Sequence, residues 1–127
     1  MQLGAFGVLV DAIFGFSFKL DPARGIRAPF DGMLTAMAAA SAPVLSVDIP
    51  SGWDVETGPQ SDGALVPDAL ISLTAPKLCA THFHGRHFLG GRFVPPAIVD
   101  RYELVLPAYP GTEQVVELSW GDGGSGQ

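Results

Sequence analysis

An apolar run near the start of the chain does most to limit what this sequence can fold into. Residues 7–14 (GVLVDAIF) are apolar except for one aspartate, and Gly15 ends the run. A continuous apolar run of this length predicts a strand that is buried on both faces, as in the parallel sheets of α/β proteins. The run therefore favours an α/β fold over an all-α or an antiparallel β fold.

The rest of the chain alternates between helical and strand patterns. A helix is predicted to begin at Pro29, with apolar residues at helical spacing, and to end before Pro43. The other predicted elements are strands at 44–49, 69–73 and 90–94, a long loop at 50–63, a short helix at 77–81, a helical turn at 95–102 and extended chain from residue 102. This order predicts a parallel or mostly parallel sheet in one domain, residues 1–119, followed by a flexible Gly/Ser tail, residues 120–127.

Composition excludes several classes of protein. The chain has 127 residues, 47% of them apolar and 16% charged, which argues against a disordered chain or a coiled coil. Its net charge of −6 and the absence of a basic run argue against nucleic-acid binding. No apolar stretch reaches the roughly 18 residues that span a bilayer, no targeting segment is visible, and the one cysteine cannot form an internal disulfide.

Two predicted strands carry an aspartate near their carboxyl ends. Asp11 lies in the run VLVD and Asp48 in LSVD. Ligands in open α/β sheets lie outside the carboxyl ends of the strands, so the two carboxylates are expected to face one crevice. Each aspartate can alternatively cap the turn that follows it. Asp11 is the stronger candidate for a ligand, because a carboxylate inside an apolar run needs a cation or hydrogen bonds.

The segment after the second strand, DIPSGWD, adds further oxygen ligands. Pro50 and Gly52 predict a tight loop, in which Ser51 offers a hydroxyl and a carbonyl. A carboxylate, a hydroxyl and loop carbonyls form the oxygen-only shell that suits a hard cation. A nucleophilic role for Ser51 is disfavoured, because no glycine precedes it in a nucleophile-elbow pattern and no histidine lies at a matching spacing.

Three weaker features have structural as well as functional explanations. Residues 15–19 (GFSFK) allow backbone amides and Lys19 to approach a phosphate, but the segment is also consistent with an ordinary surface loop. The histidines of HFHGRH, residues 82–87, are expected to lie in a solvated loop rather than to bind zinc. Lys77 can contact an anionic ligand or lie on the surface at a helix start.

Four segments together resemble one family. VDAIFGFSFK, SVDIPSGWDVETG, LISLTAPK and FLGGRFVPP, in this order, resemble the NAD(P)H-hydrate epimerases, also described as apolipoprotein A-I-binding proteins. The resemblance covers roughly residues 8–118. It implies a three-layer, Rossmann-like α/β sandwich with a mostly parallel sheet. It also implies an isomerase that interconverts the R and S forms of hydrated NADH and NADPH (NADHX and NADPHX) in nicotinamide cofactor repair.

The resemblance also implies roles for individual residues. Asp11 and Ser51 would bind one potassium ion per subunit. Asp48 would contact the substrate near its reacting ring and act as the catalytic residue. The substrate loop would comprise Gly15, Phe16, Ser17, Phe18, Lys19, Leu20 and Asp21, and a longer segment, DPARGIRA, begins within it.

One family segment has no counterpart in this chain. The family's second phosphate loop is Asn-Asn-Gly-Gly-Asp, and the sequence contains no asparagine. The resemblance therefore implies the C-terminal part of an epimerase, with the N-terminal part of the fold missing. It further implies a homodimer at full length, apolipoprotein A-I as a possible partner and a mitochondrial or cytoplasmic location, with a secreted form also possible. The alternatives are a non-catalytic scaffold or binding protein and an inactive truncated product.

Overall fold

A computed structural model describes residues 3–119 of the chain. Its strands are β1 (Leu9–Asp11), β2 (Val44–Val47), β3 (Ala69–Leu73), β4 (Arg86–Gly90) and β5 (Val115–Leu118). Its α-helices are α1 (Phe30–Ala38) and α2 (Pro96–Arg101), and short 3-10 helices span Leu3–Ala5 and Leu78–His82. The predicted Gly/Ser tail, 120–127, lies outside the described residues.

The five strands form one sheet in the order of the sequence, β1-β2-β3-β4-β5. The first four strands are parallel to their neighbours and β5 runs antiparallel to β4. The predicted α/β fold with a mostly parallel sheet is therefore confirmed. Because the first four strands point the same way, their carboxyl ends meet at one edge of the sheet, which is where such folds bind ligands.

Two apolar clusters cover one face of this sheet. The first joins β1 and β2 to helix α1 and contains Leu9, Leu34, Met37, Ala42, Val44 and Leu65. The second joins β3 to the 3-10 helix Leu78–His82 and contains Ile49, Trp53, Leu70, Cys79, Ala80 and Phe83. The indole N–H of Trp53 donates to the carbonyl of Leu65 at 2.8 Å, which links the long loop to this core. The loop over 50–63 therefore has a fixed place over the sheet.

The first strand is shorter and less buried than its apolar run predicts. Strand β1 spans three residues, and its side chains alternate between buried and exposed. Val8 and Val10 are 52% and 57% exposed, so the expected burial on both faces is wrong. The chain leaves the sheet after Asp11 because the backbone amide of Phe14 donates to Ser51 rather than to a neighbouring strand.

The fourth strand lies earlier than predicted. Strand β4 is Arg86–Gly90, and residues 91–94 form a turn before α2 instead of the predicted strand. Gly91 has φ +88°, a left-handed conformation that ends the strand. His87 lies inside the strand and is 1% exposed, so the expectation of a solvated loop is wrong for this histidine.

The first helix and the second strand form where the sequence predicts them but end earlier than predicted. Helix α1 begins after Pro29, as predicted, but ends at Ala38 before the chain reaches Pro43. Strand β2 ends at Val47 because Asp48 adopts a left-handed conformation, φ +72°. Strand β3 has its predicted bounds. Within residues 3–119 no helix has the length and apolar character needed to cross a membrane.

Candidate active site

The carboxyl edge of the sheet brings together the three polar residues that the sequence singled out. Asp11 is the last residue of β1 and pairs with Ser46 of β2. Asp48 follows β2 directly, and Ser51 lies in the tight loop three residues later. Asp11, Asp48 and Ser51 are all buried, and Asp11 accepts the backbone N–H of Ser51 directly. Asp11 also accepts the N–H of Ile13, so the alternative of a turn-capping aspartate holds for it as well.

Asp11 is fully buried among neutral hydrogen-bond donors. Its Oδ2 accepts the hydroxyl of Ser46 at 2.7 Å and the backbone N–H of Ser51 at 2.8 Å. Its Oδ1 accepts a longer bond, 3.4 Å, from the N–H of Ile13. None of the ion pairs among the described residues includes Asp11. This buried carboxylate therefore has hydrogen bonds but no cationic partner within residues 3–119.

Ser51 connects this carboxylate to the loop that follows β1. Its backbone N–H binds Asp11, and its side-chain oxygen accepts the backbone N–H of Phe14 at 2.9 Å. The hydroxyl oxygen therefore keeps one lone pair for a further partner. Ser51 is 1% exposed and borders a cavity of about 270 Å³ that Leu20 and Leu34 also line.

Asp48 is held in an unusual backbone conformation by partners on both sides. Its φ of +72° lies in the left-handed region, which aspartate tolerates better than most residues. Its Oδ2 accepts the backbone N–H of Phe16 at 3.0 Å, and its Oδ1 accepts the ammonium of Lys77 at 2.6 Å. Asp48 thus joins the loop after β1 to the turn after β3.

Lys77 is the site residue that sequence reasoning undervalued. Its ammonium also donates to the carbonyl of Leu73 at 2.8 Å, and its side chain is only 21% exposed. The signal available in the sequence was its place just after the carboxyl end of a third strand, the edge where Asp11 and Asp48 also lie. This partly buried ion pair contradicts the alternative of an ordinary surface lysine.

The segment 15–21 forms a loop beside Asp48. Gly15 lies so close to this carboxylate that a Cβ there would be 3.5 Å from Asp48 Oδ2. Phe18 stacks on Phe14 with ring centroids 4.4 Å apart, while Phe16, Ser17 and Lys19 are exposed. Leu20 is half-buried, and Asp21 accepts the N–H of Ala23 at 2.8 Å, which turns the chain into the longer segment.

A cavity of about 240 Å³ opens along this loop. Phe14 and Phe18 line it together with Lys19, Arg24, Arg27 and Asp21, the last of which forms an ion pair with Arg24 at 3.8 Å. Aromatic faces beside three cations suit a ligand that carries both a ring and negative charge. The chain has seven lysines and arginines in total, and three of them lie within residues 19–27. Positive charge is therefore concentrated in this loop.

The thiol of Cys79 and the imidazole of His87 are two further titratable groups, and burial disfavours the charged form of each. Burial raises the pKa of the Cys79 thiol, and the negative charge of Asp48 adds to this effect. Burial lowers the pKa of His87, whose Nε2 lies 2.8 Å from the hydroxyl of Ser72. Cys79 is therefore a poor nucleophile, since the thiolate is the reactive form.

The three histidines do not form a metal centre. His82 and His84 are exposed, whereas His87 lies within the sheet. Across the described part of the chain, no group of three or more His, Cys, Asp or Glu side chains is placed to hold a metal ion. A cation at this site would therefore depend on hydroxyl and carbonyl oxygens beside Asp11.

Comparisons with known proteins identify relatives that match most of the chain. The family model described as YjeF-related protein N-terminus matches residues 1–79. A protein named NAD(P)H-hydrate epimerase from Puccinia graminis f. sp. tritici is 53% identical over 117 residues, which are 92% of this chain and 47% of that protein. Proteins of the same name from Anopheles gambiae and Aedes aegypti are each 52% identical, over 90% and 91% of this chain and 48% and 49% of theirs.

A solved structure supports the same relationship. The crystal structure of yeast ynu0 matches with a TM-score of 0.79 and 38% sequence identity, over 88% of this chain and 46% of that one. The chain spans about half the length of the curated relatives that it matches. Which half it represents stays a prediction.

Proposed function

The chain belongs to the family described as YjeF-related protein N-terminus, and on that premise we propose that, within a full-length protein, it interconverts the R and S forms of NADHX and NADPHX. Relatives that carry the name NAD(P)H-hydrate epimerase match nine-tenths of the chain at 52–53% identity, which supports this proposal. The substrates would be NADHX and NADPHX, and the protein would be an isomerase of cofactor repair.

The proposed reaction requires proton transfer but no redox step. The hydrated cofactor carries a hydroxyl at C6 beside the ring nitrogen, so C6 is a carbinolamine carbon. Its inversion breaks either the C6–O or the C6–N bond and re-forms that bond from the other face. Both routes move a proton to or from oxygen, which a positioned carboxylate can accept and return.

Asp48 is the residue that we assign to this proton transfer. The observation that carries the assignment is the carboxylate at the carboxyl edge of the sheet, held between the amide of Phe16 and the ammonium of Lys77. A carboxylate fixed from both sides keeps its geometry through the reaction, which is the requirement for efficient general acid–base catalysis. Its contact with the loop 15–21 would bring the substrate ring next to it.

The loop 15–21 would hold the rest of the substrate. Lys19 supplies positive charge for the diphosphate, and Gly15 allows close approach of the backbone to Asp48. The stacked rings of Phe14 and Phe18 offer an apolar surface beside this charge. An acidic chain can therefore bind an anionic dinucleotide through one locally basic loop.

We also propose one potassium ion per subunit, with Asp11 and Ser51 among its ligands. The residues fit a hard cation, because Asp11 is a fully buried carboxylate with only neutral donors around it and Ser51 keeps a lone pair on its hydroxyl oxygen. When bound, the ion would supply positive charge that offsets the diphosphate of the substrate. Asp11 would position the loops after β1 and β2 through Ser51.

Assembly and location stay predictions from the resemblance. We propose a homodimer at full length, with apolipoprotein A-I as a possible further partner and a mitochondrial or cytoplasmic location. Exposed Val8 and Val10 support association through the first strand, since apolar side chains on an edge strand favour contact with another surface. Measurement of the oligomeric state by light scattering tests the homodimer directly.

The decisive experiment uses a protein of the relatives' length. In this completed protein, residues 1–127 are joined to the half of the Anopheles gambiae relative that the chain does not match. We expect Asp48→Asn to lower the rate of R-to-S conversion of NADHX at least about 10²-fold, because the amide cannot take up the proton. Asparagine tolerates the left-handed φ of this position, so the fold should persist.

Asp100→Asn is the matched control, since it makes the same chemical change at an exposed position on α2. This control should turn over at the rate of the unmodified completed protein. Near-normal turnover in Asp48→Asn would remove Asp48 from the mechanism. No conversion by the unmodified completed protein would contradict the proposed function itself.

A further inference from the structure

The ammonium of Lys77 forms a long-range ion pair with Asp48. Its ammonium reaches across to Asp48, 29 residues away in the chain, at 2.6 Å and also binds the carbonyl of Leu73. The side chains of Lys77 and Asp48 are only 21% and 11% exposed. Ordering a lysine side chain in this way has an entropic cost, so the ion pair needs a compensating benefit.

The backbone around Lys77 is shaped to bring its side chain to Asp48. Thr74, which follows β3, adopts φ +70°, a conformation that is uncommon for a β-branched residue. Its N–H donates to the carbonyl of Gly90, and Gly91 lies so close that a Cβ there would be 2.7 Å from the nitrogen of Thr74. The strained backbone of Thr74 and the close approach of Gly91 thus fix the start of the segment that carries Lys77.

We propose that Lys77 is a positioning residue for Asp48, and this inference rests on the proposed function. The ammonium holds Oδ1 of Asp48, so that Oδ2 stays bonded to the amide of Phe16 in the loop 15–21. One ion pair therefore fixes both the carboxylate and the loop that would carry the substrate. Because both acceptors of Lys77 belong to the protein, Lys77 acts on the reaction through Asp48 and not by contact with the reacting atoms.

This arrangement has a kinetic consequence. Without the ammonium, Asp48 keeps one partner and its carboxylate can rotate away from the geometry needed for proton transfer. A misplacement of about 1 Å can lower a rate about 10²-fold. The loop 15–21 keeps a second anchor at Phe14, whose amide donates to Ser51, and the stacked rings of Phe14 and Phe18 do not depend on Lys77. Most contacts to the substrate should therefore persist, so kcat should change much more than KM.

The first test compares variants of the completed protein. Lys77→Met keeps the length of the side chain but removes its charge and donors, and we expect kcat to fall about 10²-fold with KM near its original value. Lys77→Arg restores the positive charge and should recover part of the lost kcat. Arg101→Met removes one positive charge from an exposed position on α2 and should leave both constants unchanged.

A second test does not depend on activity. The amide of Phe16 donates to Asp48, so its hydrogen exchange, followed by NMR, reports whether the carboxylate is held. We expect exchange at Phe16 to be about fivefold faster, or more, in Lys77→Met than in the unmodified protein and in Arg101→Met. Amides of β4, which pairs with β3 and β5 and makes no bond to Asp48 or Lys77, should exchange at equal rates in all three proteins.

The two tests separate this inference from the proposed function. If the completed protein does not epimerise NADHX but Lys77→Met still accelerates exchange at Phe16, the positioning of Asp48 stands and the assigned reaction fails. If the protein is active and Lys77→Met retains its kcat, or raises KM alone, Lys77 is not a positioning residue. Unchanged exchange at Phe16 in Lys77→Met would also overturn the inference.

Discussion

At the scale of single residues, Asp11 and Asp48 differ in what surrounds them. Both lie at the carboxyl ends of adjacent strands, but Asp11 is fully buried among neutral donors and Asp48 faces an ammonium. Asp48 also borders the loop 15–21, whereas Asp11 accepts bonds from β2, from the loop of Ser51 and, at 3.4 Å, from Ile13. These surroundings suit Asp11 to holding a cation and Asp48 to moving a proton.

The proposed cation role of Asp11 leads to one prediction. Asp11→Ala should lower the affinity of the completed protein for potassium and for the dinucleotide together, because one carboxylate would serve both through the loop of Ser51. Calorimetric titration of the dinucleotide, with and without potassium, measures this coupling. Asp100→Asn serves as the control, and dinucleotide binding that is equal in all conditions would argue against the role.

His87 leads to a prediction on pH dependence. Burial lowers its pKa below the ordinary value of 6.5, so below that pH the unfolded chain takes up the proton before the folded chain does. The contribution of His87 to stability is therefore present above about pH 6.5 and is lost as the pH falls through the lowered pKa. The free energy of unfolding should consequently decrease on acidification across this window.

The measurement is urea denaturation of the completed protein between pH 7.5 and pH 5. The decrease should be smaller in His87→Gln, which removes the buried imidazole, than in His84→Gln, which removes an exposed one. Equal slopes in the two variants would show that burial of His87 does not control this dependence.

The sequence predicted part of the site for a definable reason. Asp11, Asp48 and Ser51 each lie at or just after a strand, and parallel strands bring such positions to one edge. Lys77 and His87 were misjudged because their local pattern resembles a surface loop, and their burial depends on contacts with residues far away in the chain. A short-range pattern does not contain the 2.6 Å contact between Lys77 and Asp48.

At the scale of elements, the turn that follows β4 at residues 91–94 explains why the fourth strand was predicted too late in the sequence. The sequence predicts a strand that starts at Gly90-Gly91, but β4 ends at Gly90 because Gly91 adopts φ +88°. Burial alternates along β4, where His87 and Leu89 lie inside. The sequence RHFLG has no matching alternation of polar and apolar residues, because the polar His87 is buried and the aromatic Phe88 is only half-buried.

Two glycine substitutions test this account of the elements. Gly91→Ala should lower the free energy of unfolding by about 2–4 kcal/mol, since a Cβ would meet Thr74 and the positive φ disfavours alanine. Gly32→Ala, at an exposed position in the first turn of α1 with open space around it, should raise the same quantity by about 0.5 kcal/mol. Urea denaturation of the completed protein measures both. A neutral Gly91→Ala would contradict the tight approach of β4 to Thr74.

At the scale of the whole molecule, one face of the sheet is covered by apolar clusters, whereas apolar side chains at the first strand are exposed. The two apolar clusters lie on one side of the sheet, while Val10 of the first strand and Val8 just before it are more than half exposed. The matched relatives are about twice as long as this chain. The order of strand and helix patterns was enough to predict the mostly parallel sheet. The exposure of β1 could not be predicted, because an apolar sequence pattern does not show which other segment covers the strand.

The last prediction concerns residues 1–127 expressed alone, which we expect to be poorly soluble and inactive. Strand β1 has one strand neighbour among the described residues and presents an apolar edge, which is a template for pairing with other chains. Only 16% of the residues are charged, so electrostatic repulsion gives little protection against association. The sequence also lacks asparagine, so the Asn-Asn-Gly-Gly-Asp phosphate loop of the family cannot contribute to binding. Size-exclusion chromatography and the NADHX assay, run beside the completed protein, measure both properties. Recovery of a soluble, active species only after completion is the expected result. A monodisperse 127-residue monomer that epimerises NADHX would show that this half of the fold is sufficient by itself.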